Sequence, residues 1–148
     1  MQSPGFVNDR VVVIEDAREI AITSPDCVQM LSSDNTPLHR LVKHTLRYRP
    51  GRIIVGEIAD GDTAIQMIQA LNTGHQGSCS SIHANSAEDA LARLEDLTSI
   101  RFVVPPKRAI STAVGCIIFV NRGCNGARNI EDVIYVNGLS ETGEYVCA

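Results

Sequence analysis

Three short apolar runs, rich in β-branched residues and free of polar alternation, constrain this chain more than any other feature: Val11-Val12-Val13-Ile14, Ile53-Ile54-Val55 and Ile117-Ile118-Phe119-Val120. A strand with one wet face alternates apolar and polar residues, so unbroken runs suit parallel strands covered on both faces. The intervening segments supply the helices. Thr36-Pro37 reads as a cap followed by proline at the first helical position, after which Leu38, Leu41, Val42, Thr45 and Leu46 form one apolar face that stops before Pro50. Asp62 reads as the cap of a helix carrying Ile65, Ile68 and Leu71 to a left-handed stop at Gly74. Residues 78–83 then read as a strand, and Ser86 with Asp89 resembles a capping box opening a helix striped by Ala90, Leu91, Leu94 and Leu97. This alternation predicts an α/β layered sheet. The end of the chain differs. Residues 105–113 read as a short helix, and 115–121, 130–137 and 144–147 as strands of a small antiparallel appendage, with 100–106 as the linker.

A chain of 148 residues is expected to form one domain. No stretch approaches the roughly 20 apolar residues of a membrane span. No basic region leads into an apolar core at the start, so no signal peptide is expected and the cytosol is the expected compartment. A formal net charge of −4 disfavours electrostatic capture of nucleic acid. The five cysteines are scattered, with no C-x-x-C pair, and read as reduced thiols.

Polar clusters stand at the C-terminal ends of the expected strands, where open α/β sheets place their ligands. Glu15-Asp16 follows the first run and Gly56-Glu57 the second. A strand ending in an acid is how nucleotide hydrolases hold magnesium, and it is equally how many solvated turns begin. The third cluster comprises Gly74-His75-Gln76-Gly77 and Ser81-Ile82-His83-Ala84-Asn85. A histidine in such a place is a ligand contact or a hydrogen-bonded core residue. A zinc site would need further ligands at metal spacing, which the sequence does not supply.

Taken in order, RVVVIEDAREI from Arg10 to Ile20, LRYRPGRIIVGE from Leu46 to Glu57, NTGHQG from Asn72 to Gly77 and SIHANSA from Ser81 to Ala87 resemble the Asp box, Walker B and His box of the type IV secretion and conjugal-transfer traffic ATPases. The likeness is tight to Leu97. It continues more loosely through AVGCIIFVNR, from Ala113 to Arg122, towards the end, where it is most similar to the conjugal-transfer TrbB branch. The resemblance implies a RecA-like P-loop NTPase fold, α/β, lacking the phosphate-loop strand and carrying the antiparallel appendage. It implies that residues 1–9 are a residual connecting segment and 10–148 the C-terminal part of the ATPase domain, with 105–148 its terminal helix and strands.

The resemblance also assigns roles. Glu15 matches the base that orients the attacking water, and Asp16 its neighbour near the magnesium shell. Glu57 matches the Walker B acid, which also contacts the metal. His83 and His75 match the His box near the γ-phosphate. Arg47 and Arg49 match basic positions before the Walker B strand, where a cation stabilises transition-state charge, within a subunit or across a boundary, or simply forms surface charge. Expected cofactors are ATP and Mg2+, and expected partners a homo-hexamer and inner-membrane secretion-channel proteins, with the protein cytoplasmic and peripheral at the inner membrane.

This sequence departs from the family pattern in two ways. Ala59 and Asp62 stand where members commonly carry an arginine and, shortly beyond, a glutamate. No G-x-x-x-x-G-K-[ST] pattern occurs, so no loop here cradles phosphates with backbone amides. The chain is therefore expected to be a truncated product, an expressed fragment or a partial reading frame, inactive alone, with unpaired strand edges at residues 52–56 or 78–83. The alternatives are a non-catalytic assembly module, or a pilus-retraction or type II secretion motor. The absence of paired C-x-x-C motifs weighs against the type II branch.

Overall fold

β1 (Val11–Glu15) is buried along its entire length, as an apolar run without alternation requires. This is a computed structural model, and it describes residues 9–75, 77–123 and 126–148. Residues 1–8 of the expected connecting segment lie outside the described residues, as do Gln76 of the third cluster and Cys124.

Two compact units divide the chain, one running to Ile82 and the other from His83 to Ala148. The boundary falls well before the expected linker at residues 100–106, which instead joins two helices inside the second unit. The paired prolines there break a helix without separating two cores.

In the first unit, β1 is flanked in parallel by β2 (Cys27–Leu31) on one side and by β3 (Arg52–Glu57) on the other. β4 (Cys79–Ser81) pairs in parallel with β3, giving the order β2-β1-β3-β4. Helix α1 (Leu38–Thr45) buries Leu38 and Val42, continues as a 3-10 turn over Leu46–Tyr48, and packs against α2 (Gly61–Leu71).

Several local expectations need correction. Pro37 is the N-cap of α1, not its first helical residue, because Thr36 is held in a bridge with Ser33. Asp60 caps α2, accepting from the Thr63 amide at 2.9 Å, while Asp62 sits in the first turn. α2 ends at Leu71, and Gly74 takes the expected left-handed backbone, with φ +98°. The fourth strand is shorter than residues 78–83. β3 is interior, paired with β1 over residues 52–55 and with β4 at Ile54, Val55 and Glu57, and the edges of the sheet are β2 and β4.

In the second unit, α3 (Ala87–Thr98) is capped by the Ser86 hydroxyl, which accepts from the Asp89 amide at 3.0 Å. It packs with α4 (Lys107–Ala113) against an antiparallel sheet of order β5 (Cys116–Arg122), β6 (Arg128–Leu139), β7 (Tyr145–Cys147). Ile134 and Val136 are buried beneath the helices, whereas the pairs Ile118–Val133 and Cys116–Tyr135 face outward. Ile118 is 55%, Ile130 67% and Tyr135 56% exposed, which makes this an apolar face open to water. Cys27, Cys79, Cys116 and Cys147 are free thiols. Among the described residues no helix is long and apolar enough to cross a membrane.

A short edge at β4 and an apolar outer face on β5–β7 both favour pairing with other chains. The isolated chain is expected to elute above its monomer mass and to bind a hydrophobic dye. A monodisperse monomer with a sharp melt and no dye binding would contradict this.

Candidate active site

β1 and β3 run side by side with Ile14 opposite Val55, so Glu15 comes level with Gly56, and Glu57 follows at the same edge of the sheet. Glu15 is only 3% exposed. The chain turns back after β1, and the amides of Glu19 and Ile20 both donate to Glu15 Oε1, at 2.9 and 2.7 Å. Two N–H donors compensate a buried carboxylate for lost hydration and fix its direction. The loop itself is held where Gln29 Nε2 donates to the Ile20 carbonyl at 3.0 Å.

Gly56 lies directly beside the stem of this carboxylate: a Cβ built there would be in ordinary van der Waals contact with it, 3.4 Å from Glu15 Cγ and 3.6 Å from Glu15 Cα. Asp16 turns towards β2, where its carboxylate accepts from the Ser32 hydroxyl, and the Ser32 amide donates to the Glu15 carbonyl at 2.9 Å. Glu57 ends β3 in a half-buried position. Three carboxylates thus gather at the C-terminal edge of the parallel sheet, the edge where such sheets bind ligands.

Arg47, Arg49 and His75 are not brought to that edge. Arg47 lies in the 3-10 turn and Arg49 directly after it, where the neighbouring Tyr48 carbonyl accepts from Arg10 Nη1 at 2.9 Å. Arg10 immediately precedes β1, so both arginines belong to the N-terminal edge. They stand a strand length away from the acids, about 17 Å for five residues. Arg49 is exposed and holds a left-handed backbone, φ 53° and ψ 56°. His75 also belongs to the N-terminal edge. Its carbonyl accepts from the Ser78 hydroxyl at 2.8 Å, and Ser78 Oγ accepts from the amide of Ile53 near the start of β3. Its Nδ1 lies 2.9 Å from the Ala70 carbonyl, which only accepts, so Nδ1 carries the proton. Within one chain, therefore, Arg47, Arg49 and His75 do not meet the carboxylates.

His83 opens the second unit and lines a cleft of about 240 Å³ with Asn85, Asp89 and Arg93 along α3. Among the described residues no group of three or more His, Cys, Asp or Glu could hold a metal ion. Sequence reasoning missed Ser32, and it placed Ser81 in the third cluster without giving it a role. Ser81 donates to the Gly56 carbonyl at 2.6 Å. The serine-rich run from Ser78 to Ser81 was the available signal, but the direction of a hydroxyl depends on strand register.

The family model described as Type II/IV secretion system protein matches residues 5–146. The conjugal transfer protein TrbB of Rhizobium radiobacter is 40% identical over 131 residues, covering 88% of this chain and 40% of that protein. The type IV secretion system protein VirB11 of Bartonella quintana is 38% identical over 97 residues, which is 62% of this chain and 26% of the relative. Among solved structures, the VirB11 ATPase of the Brucella suis type IV secretion system, in complex with sulphate, superposes with a TM-score of 0.78 at 27% identity. That match covers 87% of this chain and 40% of the other. This chain therefore spans about two fifths, 40% and 41%, of the TrbB relatives it matches.

Proposed function

The chain belongs to the Type II/IV secretion system protein family, and from that premise we propose that it forms the Walker B and His box part of an ATPase motor serving conjugation or type IV secretion. The observation that carries the reading is the pair of acids, Glu15 and Glu57, ending adjacent parallel strands at the ligand-binding edge. Glu15, directed by two backbone amides, would orient the attacking water and take its proton. Asp16 and Glu57 are hard oxygen donors, and Mg2+ is commonly held by one or two carboxylates with substrate phosphates and water completing its shell. Such a donor set fits the ion although no group of three or more His, Cys, Asp or Glu among the described residues is gathered closely enough to hold a metal ion. The bound metal would neutralise charge on the phosphates.

Arg47, Arg49 and His75, at the opposite edge, would serve a neighbouring subunit of a homo-hexamer. His83 would report the γ-phosphate to the rest of the ring. The assembled enzyme would sit in the cytoplasm against inner-membrane channel proteins, with no direct hold on nucleic acid, in keeping with the net charge of −4. A second reading, a non-catalytic assembly module, is favoured by Ala59, which stands where family members commonly carry an arginine.

The test is ATP hydrolysis by the chain completed with a phosphate-loop half. Magnesium-dependent turnover that collapses in Glu57→Gln supports the motor. Turnover indifferent to that change, or none in the completed enzyme, supports the module.

A further inference from the structure

The parallel sheet departs from regular pairing next to Glu57. β3 and β4 keep register at Ile54–Cys79 and Val55–Ser80, then slip, so that Ser81 stands opposite Glu57 and Gly56 is the extra residue. A bulge of this kind re-aims the neighbouring side chain. Ser81 grips both peptide groups that flank Glu57. Its hydroxyl donates to the Gly56 carbonyl at 2.6 Å, and its own carbonyl accepts from the Ile58 amide at 2.8 Å. Ile58 is buried, 8% exposed, which anchors the far side of the clamp. The same Gly56 lies beside Glu15, close enough that a Cβ built on it would be 3.4 Å from Glu15 Cγ.

We infer that Ser81 is a positioning residue: it holds the bulge that aims Glu57, and through Gly56 it sets where Glu57 stands relative to Glu15. The inference rests on reading Glu57 as the acid of the motor. Hydroxyl and carbonyl act together here. Removing only the hydroxyl leaves the strand pairing and frees the peptide before Glu57, which changes aim more than folding. Displacements of about 1 Å in a catalytic constellation cost on the order of a hundredfold in rate, and loss of one of two ties is a smaller disturbance.

The experiment uses the completed ATPase with Ser81→Ala, Ser81→Thr and Glu57→Gln. Ser81→Ala is expected to lower kcat roughly tenfold while KM for ATP stays within about twofold, the pattern of a contact felt in the transition state. Amide exchange at Ile58 should quicken in the same variant. Ser81→Thr, which keeps the hydroxyl, should restore both. If Ser81→Ala turns over normally while Glu57→Gln is dead, the inference fails and the motor reading stands. A threonine variant as impaired as alanine, or a loss carried by KM together with a lowered Tm, also overturns it. Undiminished turnover in Glu57→Gln would sink the motor reading and this inference with it.

Discussion

The 148-residue chain by itself is expected to hydrolyse ATP no faster than buffer. Phosphoryl transfer is catalysed almost wholly by positioning and by electrostatic stabilisation of the transferred group. The acids proposed for one side of that task stand together: Glu15 is buried and doubly hydrogen-bonded, and Glu57 is at the same sheet edge. What these residues lack is a glycine-rich loop with its lysine, because no G-x-x-x-x-G-K-[ST] pattern occurs among them. Carboxylates alone repel a polyphosphate and cannot hold it in line. Phosphate release by purified chain at saturating ATP is the measurement. Turnover of roughly one per second, the low end for phosphoryl-transfer enzymes, that vanishes in Glu57→Gln would refute the expectation.

In the completed enzyme, Glu15→Gln should reduce turnover by roughly two to four powers of ten, the scale of general-base contributions, while nucleotide affinity is kept. The geometry makes this substitution informative. Both loop amides converge on Oε1, and a glutamine carbonyl oxygen accepts the same two bonds. The loop and the strand end therefore keep their shape, and what disappears is the charge and the ability to take a proton. Paired measurements of nucleotide binding and kcat distinguish the outcomes. Losses of equal size in binding and turnover would assign Glu15 a structural part.

Unbroken apolar runs made β1 and β3 legible as interior strands, although β3 alternates buried and half-buried residues. The third run, in β5, stands in the antiparallel sheet with one face exposed, contrary to the parallel, doubly covered strand its pattern suits. β2 was not legible. Its Cys27-Val28-Gln29-Met30-Leu31 is half-buried at an edge and carries a polar residue in the middle, so neither template fits it. The cap of α2 was misplaced because Asp60 and Asp62 are both competent cap residues, and the backbone entering the helix decides between them. In the candidate site, Glu15, Asp16 and Glu57 could be found by rule, since Glu15 and Glu57 end recognisable strands and Asp16 directly follows one. That Arg47 and Arg49 lie at the other edge follows from the same rule, because residues entering a parallel strand belong to its N-terminal end. The Ser81 clamp could not be read at all. It exists only because of a register slip between strands far apart in sequence.

The left-handed backbone at Arg49 carries an evolutionary consequence. Residues with a Cβ are disfavoured there by about 1–2 kcal/mol, and glycine is not. The side chain is exposed and packs in no core, so burial does not account for an arginine at this position. Under neutral drift such a site slides towards glycine or asparagine, because each step in that direction steadies the fold. A lineage in which the guanidinium had lost its use would be recognisable by that replacement, and one that keeps arginine carries a standing stability cost for the contact proposed above with a neighbouring subunit.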